Sequence, residues 1–216
     1  MSELRFLAIG ILLLGCAFVA MPLDDSVARF FEGESQLPGD IRRFIRLCEV
    51  FAHGLGVTMI LITALVLDWA NRRRIIWAGI SAAACGGIAN ISKMIIERSR
   101  PHAIDLASTS ASESFGLWFP GFQEGPWTHA MQSFPSAHTA TGVGFAIGLA
   151  YAYPHARYWF AVLAVLAGLQ RLECEAHFLS DVLAGAGVAF LIATIVTALG
   201  RRIGPWDMED LERWAE

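Results

Sequence analysis

Apolar residues run through this chain in blocks of about the length a bilayer crossing takes, ~20 residues, and the polar and charged positions gather between the blocks. Six blocks stand out: Arg5 to Leu23, Leu47 to Trp69, Ile75 to Ile96, Ser136 to Tyr153, Tyr158 to about Ala176, and Val182 to Leu199. They use most of the 216 residues. The pattern therefore predicts an all-α protein, an integral membrane bundle of six transmembrane helices forming one membrane-embedded domain over residues 1–216. The first block is read as a retained span: Leu13-Leu14-Gly15-Cys16 loosely resembles a lipoprotein cleavage site, but Glu3 and a single arginine precede it and the apolar run continues to Val19.

Small residues recur every four positions inside three blocks: Gly79, Ala83 and Gly87, then Gly144 and Gly148, then Asp181, Gly185 and Ala189. Such stripes let helix backbones approach closely, although ordinary Gly/Ala-rich membrane helix explains any one of them equally well. Between the first two blocks, Gly39 to Arg46 has a cap candidate in Asp40 and sets Arg42, Arg43 and Arg46 on one face, opposite Ile41, Phe44 and Ile45. This is the pattern of an interfacial outer helix, with its arginines snorkelling to lipid phosphates in preference to binding substrate. The long connection from Glu97 to Pro135 carries Phe115, Trp118, Phe119, Phe122 and Trp127, read as interfacial aromatic anchors.

Composition agrees with the block pattern. At 55% hydrophobic and 17% charged, with a mean hydropathy of +0.50, the chain is too apolar for an ordinary soluble domain of its size. Its formal charge of −4 says little about partners, because the basic residues are clustered, and no nucleic-acid partner is expected. Cys16, Cys48, Cys85 and Cys174 lie in or beside apolar runs with no CxxC pair and no metal-ligand spacing, so they are read as small core residues and not as disulfides. Asn71 to Arg74, Pro154 to Arg157, and Arg201-Arg202 are short basic connections, which the positive-inside rule assigns to the cytoplasmic side together with both termini.

With that topology the end of the third span, the start of the fourth, the end of the fifth and the start of the sixth share the outer face. Lys93, Arg100, Ser136, His138, Arg171, His177 and Asp181 are thereby expected to converge. Lys93 is the only lysine in the chain, and it closes an apolar stretch where a buried cation is expensive. Three cations about one point make sense opposite a strong anion, and phosphate is the natural candidate. Ser136, following Pro135, is a good N-cap for the fourth span, so the amides of Ala137 and His138 add an anion site there. His177 and Asp181 are four apart, the spacing of one helical face. A carboxylate on one imidazole nitrogen makes the other more nucleophilic. One histidine then attacks phosphorus while His138 donates a proton to the departing oxygen. No metal is expected, because Asp181 is the only carboxylate in register and a two-metal hydrolase needs several. Singly, each piece has a plainer reading: a snorkelling Arg171, a satisfied His177–Asp181 pair, a Ser136 that merely caps.

Three motifs carry a resemblance. Lys93 through Arg100-Pro101 fits KxxxxxxRP, Pro135-Ser136-Ala137-His138 is close to PSGH, and Gln170-Arg171 with His177 and Asp181 is close to SRxxxxxHxxxD. In these residues, their order and the six-block layout, the chain resembles the type 2 phosphatidic acid phosphatase family, membrane lipid phosphatases related in active-site design to vanadium haloperoxidases. The resemblance implies that His177 forms a phosphohistidine, Asp181 orients it, and His138 acts as general acid and then activates water. It also implies that Lys93, Arg100, Ser136, the Ala137 amide and Arg171 hold the phosphate, with no cofactor. Two departures stand out: Ala137 replaces a glycine, which excludes a comfortable positive φ, and Gln170 replaces a serine. Arg98 is left as a spare phosphate ligand or a surface charge, and His53 as a bonded interior histidine; His102, His129 and His155 fall outside the motifs.

The expected protein is thus a metal-independent phosphatase of the bacterial cytoplasmic membrane, with its site at the outer face, removing the terminal phosphate of a lipid phosphomonoester or diphosphate. Phosphatidate, phosphatidylglycerol phosphate, polyprenyl (undecaprenyl) diphosphate and phosphorylated lipid A all fit. A lipid phosphotransferase using the same intermediate is the nearest alternative, and a non-enzymatic anionic-lipid transporter or scramblase the second. A transporter would need access to both faces, yet the inner half of the spans has few ionisable residues beyond Asp68.

Overall fold

The computed structural model describes residues 3–33, 37–122 and 128–203, so Trp127 lies outside the described residues. Its helices are α1 (Glu3–Ala20), α2 (Asp24–Phe31), α3 (Gly39–Leu47), α4 (Gly54–Leu67), α5 (Arg72–Ser92), α6 (Ala137–Ala152), α7 (Arg157–Glu173) and α8 (Leu179–Ile203). Between α5 and α6 stand two short strands, β1 (Ile96–Arg98) and β2 (Phe115–Trp118).

The fourth apolar block is small or apolar on every side, the pattern of a helix enclosed by others. It becomes α6, in which every residue from Gly144 to Ala152 is buried. Helices α5, α7 and α8 surround it, and α1 packs on α8. The core layers follow: Phe51, Ala78, Ala82, Phe145 and Leu149 form one, and Phe6, Ile147, Tyr151, Ala193 and Val196 another. Gly144 and Gly148 make the α5–α6 contact possible, since a Cβ on Gly148 would lie 2.4 Å from Ala78 Cα and one on Gly144 2.6 Å from Cys85 Sγ.

The stripe expected in α5 is on the wrong face. Ala83 and Gly87 are exposed, and the core is met by Ile75, Ala78, Ala82, Cys85 and Ala89, spaced alternately three and four apart. In α8 the Asp181, Gly185, Ala189 stripe is buried as read from the sequence. Of the cysteines only Cys85 is buried; Cys16 is exposed, and all four are free thiols.

The second apolar block does not form one helix. Leu47 ends α3, Cys48–Phe51 is a 3-10 turn, and α4 starts at Gly54, with the two helical pieces bent by 69°. His53 makes the break: its backbone is extended and its Nδ1 accepts the Leu55 N–H at 3.3 Å, so it caps α4. It is an exposed cap and not the interior histidine expected. Asp40 likewise does not cap α3, whose N-cap is Pro38; it pairs with Arg43 at 3.5 Å with both side chains exposed. Arg42 and Arg46 do not snorkel freely but reach buried Glu173 at the end of α7, at 3.3 and 3.0 Å. Of the expected apolar face of α3, only Ile45 is buried.

The third block leaves its helix at Ser92, and Ile96 enters an antiparallel pairing of β1 with β2 through Ile96–Trp118 and Arg98–Phe115. The all-α expectation misses this small sheet because its strands are three and four residues long, too short for an alternating pattern to register. Trp118 at the end of β2, and Phe119 and Phe122 after it, are exposed, as interfacial anchors would be, while Phe115 is turned partly inward.

Candidate active site

The Lys93–Pro101 segment leaves the bundle at the end of α5, where Lys93 is the C-cap and only 5% exposed. Lys93 lies in the field of Arg100, Asp181 and Arg171. Arg100, also buried, is gripped by the 129–132 segment: Nε donates to the His129 carbonyl at 3.1 Å, and Nη2 reaches His129 Nε2 at 3.2 Å and the Gln132 carbonyl at 3.4 Å. Arg100 first, and burial second, hold the His129 imidazole below its ordinary pKa. Burial and the neighbouring Arg171 likewise push Arg100 down from its usual value.

Ser136 caps α6 as expected, its Oγ accepting from the Thr139 N–H at 3.4 Å and the Thr139 hydroxyl at 2.9 Å. The Phe134–Pro135 peptide bond before it is cis. Ala137 is the first helical residue of α6 and has no positive φ, so replacing glycine by alanine strains nothing here. A Cβ on Gly185 would lie 2.3 Å from the Ser136 carbonyl, and the Ser136 N–H donates to the Asp181 carbonyl at 3.0 Å. The starts of α6 and α8 are thereby locked together.

Arg171 sits in the last turn of α7 and is 8% exposed. Its carbonyl accepts the amides of Ala176 and His177, both at 3.2 Å, and so shapes the turn that presents the imidazole. Its Nη1 donates to Glu49 at 2.8 Å, while its Nε and the Oε1 of buried Gln170 have no hydrogen-bond partner among the described residues.

His177 precedes α8 and is not on its face, so the four-residue helical spacing is not what joins it to Asp181. Asp181, in the first turn of α8, turns back: its Oδ2 accepts the Phe178 N–H at 2.8 Å and lies 3.7 Å from His177 Nδ1. Ser133 bridges the two, its hydroxyl donating to Asp181 Oδ2 at 2.6 Å and standing 3.4 Å from His177 Nδ1. The other oxygen, Oδ1, accepts from Arg98 Nη1 at 2.5 Å. Burial pushes the His177 pKa down to about 4, opposed by Asp181 and reinforced by Arg100 and Lys93.

Arg98 is neither a spare ligand nor a surface charge: it is 1% exposed. Its guanidinium lies between the rings of Phe115 and Phe178, 4.3 and 4.2 Å from their centroids. Nη1 also reaches Ser180 at 2.7 Å, Nε reaches Ser114 at 3.0 Å, and Nη2 reaches Asp24 at 2.7 Å. Asp24, fully buried at the start of α2, also accepts the Ser180 N–H at 2.9 Å and its hydroxyl at 2.5 Å. The sequence reading missed Asp24, Ser133 and Glu49. An acidic first turn of α2 was the one available signal for Asp24.

All eight expected site residues therefore gather at one end of the bundle: Lys93 and Arg100 lie in the field of the His177 imidazole, Arg171 lies beside both cations and His138, and Ser136, Ala137 and His138 open α6. Such a constellation is suited to holding a tetrahedral anion against a neutral nitrogen. Among the described residues, no three His, Cys, Asp or Glu side chains gather as a metal ligand set.

The model of the PAP2 superfamily matches residues 74–204, which hold all three motifs. The chain belongs to the PAP2 superfamily. Its similar relatives include proteins named lipid A 1-phosphatase: one from Rhizobium johnstonii, 31% identical over 120 residues covering 55% of this chain and 45% of the relative, and one from Rhizobium etli, 34% identical over 117 residues covering 52% and 46%. The matches thus span a little under half the length of these relatives. In fold, the chain is similar to the first transmembrane PAP2-type phosphatidylglycerolphosphate phosphatase from Bacillus subtilis, with a TM-score of 0.61 at 12% identity over 95% of this chain and 99% of that one. That likeness, with three helical segments among the described residues long and apolar enough to cross a membrane (Glu3–Phe31, Trp69–Ser92 and Leu179–Arg202), makes this PAP2 member a multi-pass membrane protein.

Proposed function

We propose that this PAP2 member is a metal-independent lipid phosphate phosphatase working through a phosphohistidine on His177. The observation that carries the reading is the His177 environment: a buried imidazole whose Nδ1 faces Ser133 and Asp181 while Lys93 and Arg100 act on it and Arg171 stands beside both of those cations. With Nδ1 so engaged, Nε2 is the nitrogen for phosphorus. The cations neutralise charge on the five-coordinate phosphorus, the role metals fill in other phosphatases, and the α6 N-terminus at Ser136 and Ala137 adds amide donors. His138 protonates the departing oxygen as the P–O bond breaks, then takes a proton from the water that displaces the histidine.

For substrate, the reading is the terminal phosphate of a membrane lipid monoester or diphosphate, and the Rhizobium relatives favour phosphorylated lipid A among these. Helices α1, α4, α5, α6, α7 and α8 are the six spans and α3 the interfacial helix, its 69° bend from α4 turning it out of the bundle axis. The site lies at the outer face of a bacterial cytoplasmic membrane. Phosphate release from phosphatidate, phosphatidylglycerol phosphate, undecaprenyl diphosphate and lipid A, measured in mixed micelles with excess EDTA, tests chemistry and substrate together. Turnover of at least one lipid is expected, with inhibition by vanadate. Activity lost on chelation and restored by a divalent metal would refute the metal-free chemistry. For orientation, Ala107→Cys should react with an impermeant thiol reagent from outside and Arg73→Cys should not, in a chain whose native cysteines are replaced; the reverse would place the site inside.

A further inference from the structure

Glu49 lies where the second apolar block breaks. The turn Cys48–Phe51 and the extended His53 deliver a carboxylate and an imidazole to the start of α6. Glu49 Oε1 accepts from Arg171 Nη1 at 2.8 Å and lies 3.8 Å from His138 Nε2; the His53 and His138 rings are 5.8 Å apart. The other groups acting on His138 from the surrounding elements are Arg171 on α7, His177 in the turn before α8, His53 at the start of α4 and Lys93 at the end of α5. Among the described residues, Glu49 is the carboxylate that faces it.

We propose that Glu49 is the positioning residue for His138, holding the Nε2 proton so that Nδ1–H is presented to the departing lipid oxygen. The inference rests on His138 being the general acid. At 3.8 Å the contact is not yet a hydrogen bond, but Arg171 now occupies the carboxylate. A phosphate that takes the Arg171 donors releases Glu49 toward Nε2, so substrate entry itself tightens the pair; catalytic hydrogen bonds are often long before the substrate binds. The proton balance is complete. In the first step the P–O bond breaks and its electron pair takes the Nδ1 proton, leaving neutral His138 with Nε2–H on Glu49, while the nitrogen–phosphorus bond forms at His177. In the second step, water gives a proton to Nδ1 as its oxygen bonds to phosphorus, and the N–P electron pair returns to His177. Each histidine then has its own carboxylate, Asp181 for the nucleophile and Glu49 for the acid. Both His138 and Glu49 keep more than a third of their side-chain surface exposed, as the mouth where a bulky leaving group departs requires.

The test compares Glu49→Gln, Glu49→Asp and His138→Ala on two substrates, a lipid monophosphate whose alkoxide must be protonated and 4-nitrophenyl phosphate whose phenolate need not be. Glu49→Gln should lower kcat on the lipid by about tenfold or more, with KM little changed and most of the loss absent on the nitrophenyl ester. Glu49→Asp should restore part of it. Equal losses on both substrates would make Glu49 structural, and a lower KM with kcat kept would make it a plug on Arg171; either overturns the proposal. If His138→Ala shows the substrate dependence and Glu49→Gln does not, this inference alone fails. If His138→Ala lacks it, the assignment of the acid fails, and this inference with it.

Discussion

Arg98 and Asp181 meet through Nη1 and Oδ1 at 2.5 Å, in a place where both side chains are closed to solvent. The second Asp181 oxygen is taken by Ser133 and the Phe178 amide. The carboxylate facing His177 is therefore fixed from both sides, and through Asp24 the fixing reaches α2, well outside the motif residues.

Arg98→Ala leaves Asp24 and Asp181 buried without their cation. Removing one partner of a buried pair costs about 3–5 kcal/mol, so unfolding of the purified protein in detergent should shift by that order. A loss within about 0.5 kcal/mol, the range of ordinary surface substitutions, would mean that the cluster is not structural.

Helix packing gives a matched pair. Gly148→Val forces a side chain into the Ala78 backbone, while the same change at Gly87 meets nothing within 4 Å. The first should destabilise by at least about 1–3 kcal/mol and the second should be close to neutral in the same melt. Equal effects would contradict the α5–α6 interface described here.

How much could be read from the sequence follows from how far apart the partners lie. Lys93, Arg100, Ser136, His138, Arg171, His177 and Asp181 sit in short local spacings, and span counting was enough to bring them to one face. Asp24 meets Ser180 across 156 residues and Arg171 meets Glu49 across 122, pairings that no local pattern announces. The break at His53 was equally hidden, because the residues around it are as apolar as a continuous span. Arg98 was misread for the same reason: its neighbours in sequence are polar, and its burial comes from Phe115, Phe178 and two distant carboxylates.

Burial sets a pH dependence at His177. An unfolded histidine titrates near 6.5, and the folded one is pushed down to about 4. As pH falls below 6.5 the unfolded chain takes up this proton first, so the His177 contribution is full above about 6.5 and declines as pH drops toward 4. Stability of wild type minus His177→Asn, followed by denaturation in detergent, should fall over that window. A flat difference, or one that rises on acidification, would contradict the buried neutral imidazole.

The most direct measurement is rapid quench with phosphorus-labelled lipid. Wild type should show an acid-labile phosphohistidine within the first turnover, and His177→Ala should show neither label nor turnover. His138→Ala should still be labelled, at a rate lowered by ~10²–10⁴ that is largely regained with a nitrophenyl leaving group. Label retained in His177→Ala and lost only in His138→Ala would reverse the two roles, and turnover without any covalent label would contradict nucleophilic catalysis at this site.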